Sequence, residues 1–236
     1  LREAGLTPAQ LKRVLEGRKP KPKILKHHIT ERTFTFAVVS DTHLCSTEEK
    51  LDELYTFYDI CRKKGITTVL HVGDVVAGNR VYRGQENEVT VFGAMRQAQY
   101  VIDHYPKIPN TTTHFITGNH DLSFWVQNGI DVGTVIADKR PDMKYLGQYQ
   151  ADIMLGNVKV RLLHPDGGGS YAISYRGQKI AEQIPSGQKP HILLQGHYHT
   201  STSTVTRSTS LAISAPASSP SAMANRAIPF PESTAS

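Results

Sequence analysis

Apolar positions along the chain fall into short clusters separated by polar turns. Thr33 to Ser40 is rich in β-branched and aromatic residues and predicts a strand. From Glu48 to Lys64 the apolar positions Leu51, Leu54, Tyr55, Tyr58 and Cys61 recur at helical spacing. Thr67 to Val72 predicts a short buried strand, and Glu88 to Tyr105 a helix ended by Pro106. His114 to Thr117 predicts a strand and Ile130 to Arg140 a helix. Gln148 to Leu155 and Val158 to His164 flank Gly156-Asn157, a pair suited to a two-residue hairpin. Tyr171 to Ile184 predicts a helix and His191 to Gln195 a strand. Strands alternating with helices, followed by a hairpin, make an α/β chain with mixed sheets. No internal repeat is present.

The two ends read differently. Thr7, Pro8 and Gln10 have the order of an N-cap, a first-turn proline and a capping-box partner. Leu11, Val14 and Leu15 then form a short stripe, and Gly17 stops it. This helix over 1–17 is either a packing helix or the remnant of an upstream DNA-binding-like helical module. Residues 18–32, with Pro20 and Pro22, read as an extended basic linker. The main domain spans 33–199. Residues 200–236 are about three-quarters Ser, Thr, Ala and Pro, and read as a flexible tail or as a segment completing the second sheet.

Composition narrows the class. With 39% hydrophobic and 20% charged residues, the 236-residue chain can bury a core and is not globally disordered. No apolar run reaches the ~18 residues of a membrane span, so no membrane partner is expected. Cys45 and Cys61 are the only cysteines. They exclude a disulfide framework and a Cys-rich zinc site, and point to a reducing, cytoplasmic compartment. No signal peptide opens the sequence, although a start at Leu1 rather than Met leaves an upstream or processed segment open. The formal charge is +6. Arg2, Lys12, Arg13, Arg18, Lys19, Lys21, Lys23 and Lys26 face only Glu3 and Glu16 in the first 30 residues, so the whole excess sits there. Such a segment, 12–26 above all, is either a solvated linker or a contact for nucleic-acid phosphates.

The chemistry gathers where strands end. Asp41-Thr42-His43, Gly73-Asp74, Gly118-Asn119-His120-Asp121, His164 and Gly196-His197-Tyr198-His199 each follow a predicted strand. Ligands in α/β sheets bind at the carboxyl ends of strands. A single such residue is usually a turn or cap, but five clusters in this order are not a chance pattern. Asp, Asn and His supply oxygen and imidazole donors without thiolate, a set suited to Mn, Fe, Zn or Ni. Seven donors are too many for one tetrahedral zinc, and fit two ions bridged by a carboxylate. The glycines before Asp74, Asn119 and His197 let the backbone turn sharply there.

With these motifs, Phe34 to His199 resembles the calcineurin-like metallophosphoesterases. The resemblance implies a four-layer α/β/β/α sandwich with two mixed sheets and a two-metal centre. It implies that Asp41, His43 and His199 hold one ion, that Asp74 bridges, and that Asn119, His164 and His197 hold the second. By the same resemblance His120 faces the substrate phosphate, together with Asn119, and Asp121 orients it. The family finishes its second sheet with apolar strands, and the segment after His199 departs from that. Two ions about 3.5–4 Å apart lower the pKa of a bridging water, and the hydroxide attacks phosphorus in line. The expected activity is therefore metal-dependent phosphoester hydrolysis, with Mn favoured and a phosphodiester of nucleic acid or a nucleotide as substrate. The alternatives are a phosphomonoesterase or protein phosphatase, and a non-catalytic metal-stabilised module of a larger assembly.

Other candidates are secondary. The polar loop Ala77 to Glu88 offers Arg83 to a phosphate and Tyr82 to a base, or is an ordinary surface loop. Gly167-Gly168-Gly169 reads as a flexible rim. His27 and His28 lie in the linker, while His104, His114 and His191 pack or face solvent. His71 is a packing residue or a support for the metal ligands.

Overall fold

A computed structural model of the chain describes residues 24–27, 33–166, 179–198, 202–205 and 228–229. In chain order the strands are β1 (Ile24–His27), β2 (Thr33–Phe34), β3 (Ala37–Val39), β4 (Thr68–Val72), β5 (Thr112–Thr117), β6 (Met143–Gln148), β7 (Gln150–Leu155), β8 (Val158–Leu163), β9 (Ile192–Gln195), β10 (Thr202–Val205) and β11 (Ile228–Pro229). The helices are α1 (Leu51–Lys63), α2 (Ala94–His104), α3 (Asn119–Asn128) and α4 (Val132–Lys139), and 179–183 are also helical. No helix among the described residues is long and apolar enough to cross a membrane.

The fold is α/β with two main sheets. The first has the order β3-β4-β5-β6 and is parallel throughout. Parallel neighbours need crossover connections, which α1, α2 and the α3–α4 pair supply. The second sheet has the order β1-β7-β8-β9-β10 and is mixed. There β1 pairs parallel with β7 and β8 parallel with β9, while the β7–β8 hairpin and the β9–β10 pair are antiparallel. Strands β2 and β11 form a small antiparallel pair of their own.

Burial fixes the layering. On one face of the first sheet Val69 and Phe115 share a core with Leu54, Phe57 and Cys61 of α1, Ala98 and Val101 of α2 and Ile136 of α4. On the other face Leu70, Val72 and Ile116 pack with Ile153, Val160, Leu162, Ile192 and Leu194 of the second sheet. The central strand β4 is thus buried on both faces at every residue, as strands of covered parallel sheets are. Helices, first sheet and second sheet stack in that order.

Several sequence expectations shift. The strand expected over Gln148–Leu155 is two strands in two sheets, broken at Tyr149 with φ +60°. The Tyr149 N–H donates to the Thr117 carbonyl (2.8 Å) and its own carbonyl accepts from His164 N–H (2.7 Å), so one residue stitches the sheets together. The helix expected over Glu88–Tyr105 begins only at Ala94. The β-branched run Val89-Thr90-Val91 stays outside the helix, with Val89 in an isolated bridge to Ser46, and Thr47 N–H donates to Glu88 O (2.8 Å) while Thr90 N–H donates to Cys45 O (2.8 Å). Helix α3 and strand β6 were not anticipated. Within the presumed linker, Ile24–His27 is a paired strand rather than a free connection. The helix expected over 1–17, most of Tyr171–Ile184, the triple glycine and His199 lie outside the described residues, while β10 extends the edge of the second sheet.

Candidate metal centre

The expected clusters do converge at the carboxyl ends of the strands. Past β3 and β4 the backbones stay paired: Asp41 N–H donates to Gly73 O (3.0 Å), His43 N–H to Asp74 O (3.1 Å) and Leu44 N–H to Val75 O (3.0 Å). Asp41, His43, Asp74 and His197 all have positive φ, at 55°, 41°, 55° and 83°. Non-glycine residues avoid this region, so a run of four marks a strained constellation held by its surroundings. The His197 N–H adds one such restraint, donating to both oxygens of Asp41 (3.0 and 3.1 Å) and so joining the ends of β9 and β3.

Two groups of donor atoms form, each within 4.8 Å: His43, Asp74 and His120 in one, Asp74, His164 and His197 in the other. Asp74 belongs to both. Its Oδ2 lies 3.1 Å from His164 Nε2 and 3.9 Å from His43 Nε2, and its Oδ1 accepts from the His120 N–H in the first turn of α3 (2.9 Å). A helix N-terminus thus faces the shared carboxylate, which favours its charge. Asn119 Oδ1 lies 3.2 Å from His164 Nε2 and 3.0 Å from His197 Nδ1, so the amide joins the second group.

Hydrogen bonds assign the imidazole faces. His164 Nδ1 lies 2.7 Å from the Val72 carbonyl, which accepts only, so Nδ1 carries the proton and Nε2 looks toward Asp74 and Asn119. His120 Nδ1 lies 2.7 Å from the Ala77 carbonyl, so its Nε2 is the face available to the site. A carbonyl fixing the far nitrogen is the usual support of a metal-bound histidine.

The charges are strongly perturbed. Burial disfavours the Asp74 carboxylate, yet the hydrogen bond and charge of His164, with His120 and His43 beside it, hold it well below the usual range. Burial opposes the His164 cation too, and Asp74 overcomes this, raising it to about 9. Burial raises Asp41. Without metal, then, a proton on His164 Nε2 sits among Asp74, Asn119 and His197. A divalent cation fits that point once the imidazole protons leave, with Asp74 Oδ2, Asn119 Oδ1 and the ring nitrogens of His164 and His197 as donors. These residues fit a two-ion centre.

Asp121 departs from its expected role. Its carboxylate does not reach the His120 ring. It accepts from Val75 N–H (3.2 Å), Val76 N–H (2.9 Å) and Gly118 N–H (2.9 Å). At the third position of α3 it reaches back to the residue before the helix, as acids there do, and it also clamps the loop after Asp74. The partners on the His120 ring are Ala77 O and the buried Gln85, whose Nε2 lies 3.3 Å from Nδ1 and also donates to Ala77 O (2.7 Å). His71 supports the site from below. It is fully buried, and its Nε2 lies 3.0 Å from Thr42 Oγ1, whose hydroxyl donates to Val75 O (3.0 Å); Thr42 stands between Asp41 and His43. Gln85 was not expected from sequence, since only the folded loop brings it to His120.

Tyr82 stands at the edge of the centre, its ring 6.2 Å from that of His120, with its hydroxyl donating to Glu88. Arg83 is exposed. Cys45 and Cys61 are buried, and burial pushes their thiols up to about 12 and about 11, so neither is a thiolate near neutral pH.

A family model described as calcineurin-like phosphoesterase matches residues 34–207, most of the chain. Two curated proteins named DNA polymerase II small subunit, from two strains of Halobacterium salinarum, are each 29% identical to it over 104 residues. That alignment takes in 42% of this chain and 20% of each relative, so the chain spans about a fifth of the relatives it matches.

Proposed function

Since the chain belongs to the calcineurin-like phosphoesterase family, we propose that it hydrolyses phosphodiesters of nucleic acid with the help of two divalent metal ions. The observation that carries this reading is the pair of donor groups sharing Asp74, His43 and His120 in one and His164 and His197 in the other. The likeness to proteins named DNA polymerase II small subunit favours nucleic acid over a small phosphomonoester. The basic excess of the first 30 residues points the same way, toward segment 12–26 as a contact for phosphates.

In this reading Asp41, His43 and Asp74 hold one ion, with His199 as a further donor, and Asp74, Asn119, His164 and His197 hold the other. Manganese is the favoured metal. The bound ions supply Lewis acidity and make water a nucleophile near neutral pH. The chain's own residues do the rest. Asp74 keeps an anionic carboxylate at the centre, and the His120 and His197 amides orient Asp74 and Asp41 in turn. His120, with Nδ1 committed to Ala77 O, offers Nε2 to a phosphoryl oxygen or to the leaving oxygen. Asn119 contributes its amide beside it. Arg83, exposed in the loop after β4, would meet a neighbouring phosphate.

The test is a panel of labelled DNA and RNA, a chromogenic diester and a chromogenic monoester, run with added Mn on protein whose metals have been measured. Cleavage of the nucleic acids and the diester is expected. Monoester turnover alone would replace this reading with a phosphatase, and no turnover with two ions bound would make the chain a structural module.

A further inference from the structure

A cavity of about 740 Å³ opens beside His43 and His120, between α1 and the loop after β4. Asp41, His43 and His120 line it where it meets the metal centre, and Leu44, Leu54, Phe57 and Val89 give it an apolar surface. Its volume falls within the ~300–1,000 Å³ of ligand cavities, enough for one nucleoside and far short of a stacked duplex.

The rim chooses among parts of a nucleic acid. Among the described residues, Asp41, Glu48, Glu53 and Glu88 line it against the one ammonium of Lys50. This acidic rim repels a phosphate chain but accepts hydrogen bonds from the exocyclic amines of a base. Tyr82, about half exposed, lines the cavity with its ring 6.2 Å from that of His120. Its hydroxyl is anchored on Glu88, so the ring is already fixed and stacking on it loses little side-chain freedom. Arg83, its neighbour in sequence, does not line the cavity.

We propose that this cavity receives one unpaired nucleobase, that of the nucleotide next to the scissile phosphate, with Tyr82 as its stacking platform. The inference rests on the phosphodiester reading and adds to it a subsite for the base. The phosphate stays at the metal centre, and the base turns away from it, past Tyr82, into the apolar pocket.

The test begins with binding, on the full chain in EDTA so that nothing is cut. Two single-stranded oligonucleotides carry 2-aminopurine at one end or the other. One of them should lose fluorescence on binding, and Tyr82→Leu should weaken its affinity about tenfold or more, as loss of a base–aromatic stack does. Tyr82→Phe should retain most of it. With metal added, an oligonucleotide whose terminal nucleotide lacks its base should show a comparably raised KM against the intact one and a smaller change in kcat. Equal KM for intact and abasic ends, with cleavage proceeding, overturns the base subsite and leaves the phosphodiester reading standing. Absence of cleavage of every diester by metal-loaded protein overturns that reading, and the subsite with it.

Discussion

Gly118→Ala tests whether the carboxylate–imidazole contact at the centre is as tight as the structure makes it. Gly118 joins β5 to α3 with φ −105° and ψ −165°, extended backbone open to any residue, so the substitution strains no dihedral. Its effect is the methyl group alone. A Cβ there would lie 2.6 Å from His164 Cδ2 and 2.6 Å from His164 Nε2, and nearer still to Asp74 Oδ1. Ordinary contact begins at 3.4 Å, so the His164 ring must retreat by about 0.8 Å and Asp74 Oδ1 by more. Neither can do so freely: Asp74 Oδ1 is held by the His120 amide and His164 Nδ1 by the Val72 carbonyl. Overpacking of this kind destabilises by about 1–3 kcal/mol. A displacement near 1 Å lowers turnover about 10²-fold. Metal affinity should fall by about 10–100-fold, at least as much as when an outer support of a ligand is removed. Calorimetric titration with Mn, elemental analysis and a thermal melt read these effects. Gly187→Ala is the control, since nothing lies within 4 Å of its added Cβ. Two equivalents bound at parental affinity with parental turnover in Gly118→Ala would refute the packed geometry.

Three other outcomes are expected. Asp74→Asn should abolish metal content and activity together, because both donor groups share that residue, whereas His120→Asn should cut turnover and keep the metals; elemental analysis beside a diester assay separates the two, and metal loss in His120→Asn would make that ring a ligand. Burial, with the His164 charge adding to it, holds His71 down to about 3, while an unfolded histidine titrates near 6.5; the unfolded state therefore binds more protons between these values, so stability is full above about pH 6.5 and falls as pH drops toward 3, by up to about 1.4 kcal/mol per unit. Urea unfolding in EDTA at pH 7.5 and 5.5 should show a smaller loss for His71→Gln than for the parent, and parallel losses would contradict the assignment. Deleting residues 1–22, which spares β1, should weaken binding of single-stranded DNA and flatten its dependence on salt; an unchanged salt slope in a binding titration would reduce the segment to a linker.

The site was legible in the sequence because its signals are local. Gly-Asn-His-Asp and Gly-His-x-His put small residues and donors side by side just where a strand ends, and the hairpin at Gly156-Asn157 is a turn of two residues. What was not legible depends on contacts across the fold. Helix α3 shows only a weak apolar stripe, since Trp125 and Val126 point outward. The break between β6 and β7 rests on one tyrosine held left-handed by partners 32 residues before it and 15 after it. Asp121 looked like a partner for its neighbour's ring. Its oxygens instead serve amides some 45 residues away, a pairing no short motif encodes.

The donors hang from two leaves. His43, Asp74 and His120 belong to the first sheet, while His164 and His197 belong to the second. An ion held by Asp74, His164 and His197 would act as a rivet between both. Sliding of leaf on leaf would pull the rivet's holes out of line, and the stitch at Tyr149 opposes that slip. The grip on the second cation therefore doubles as a gauge of how firmly the two halves of the core are fastened.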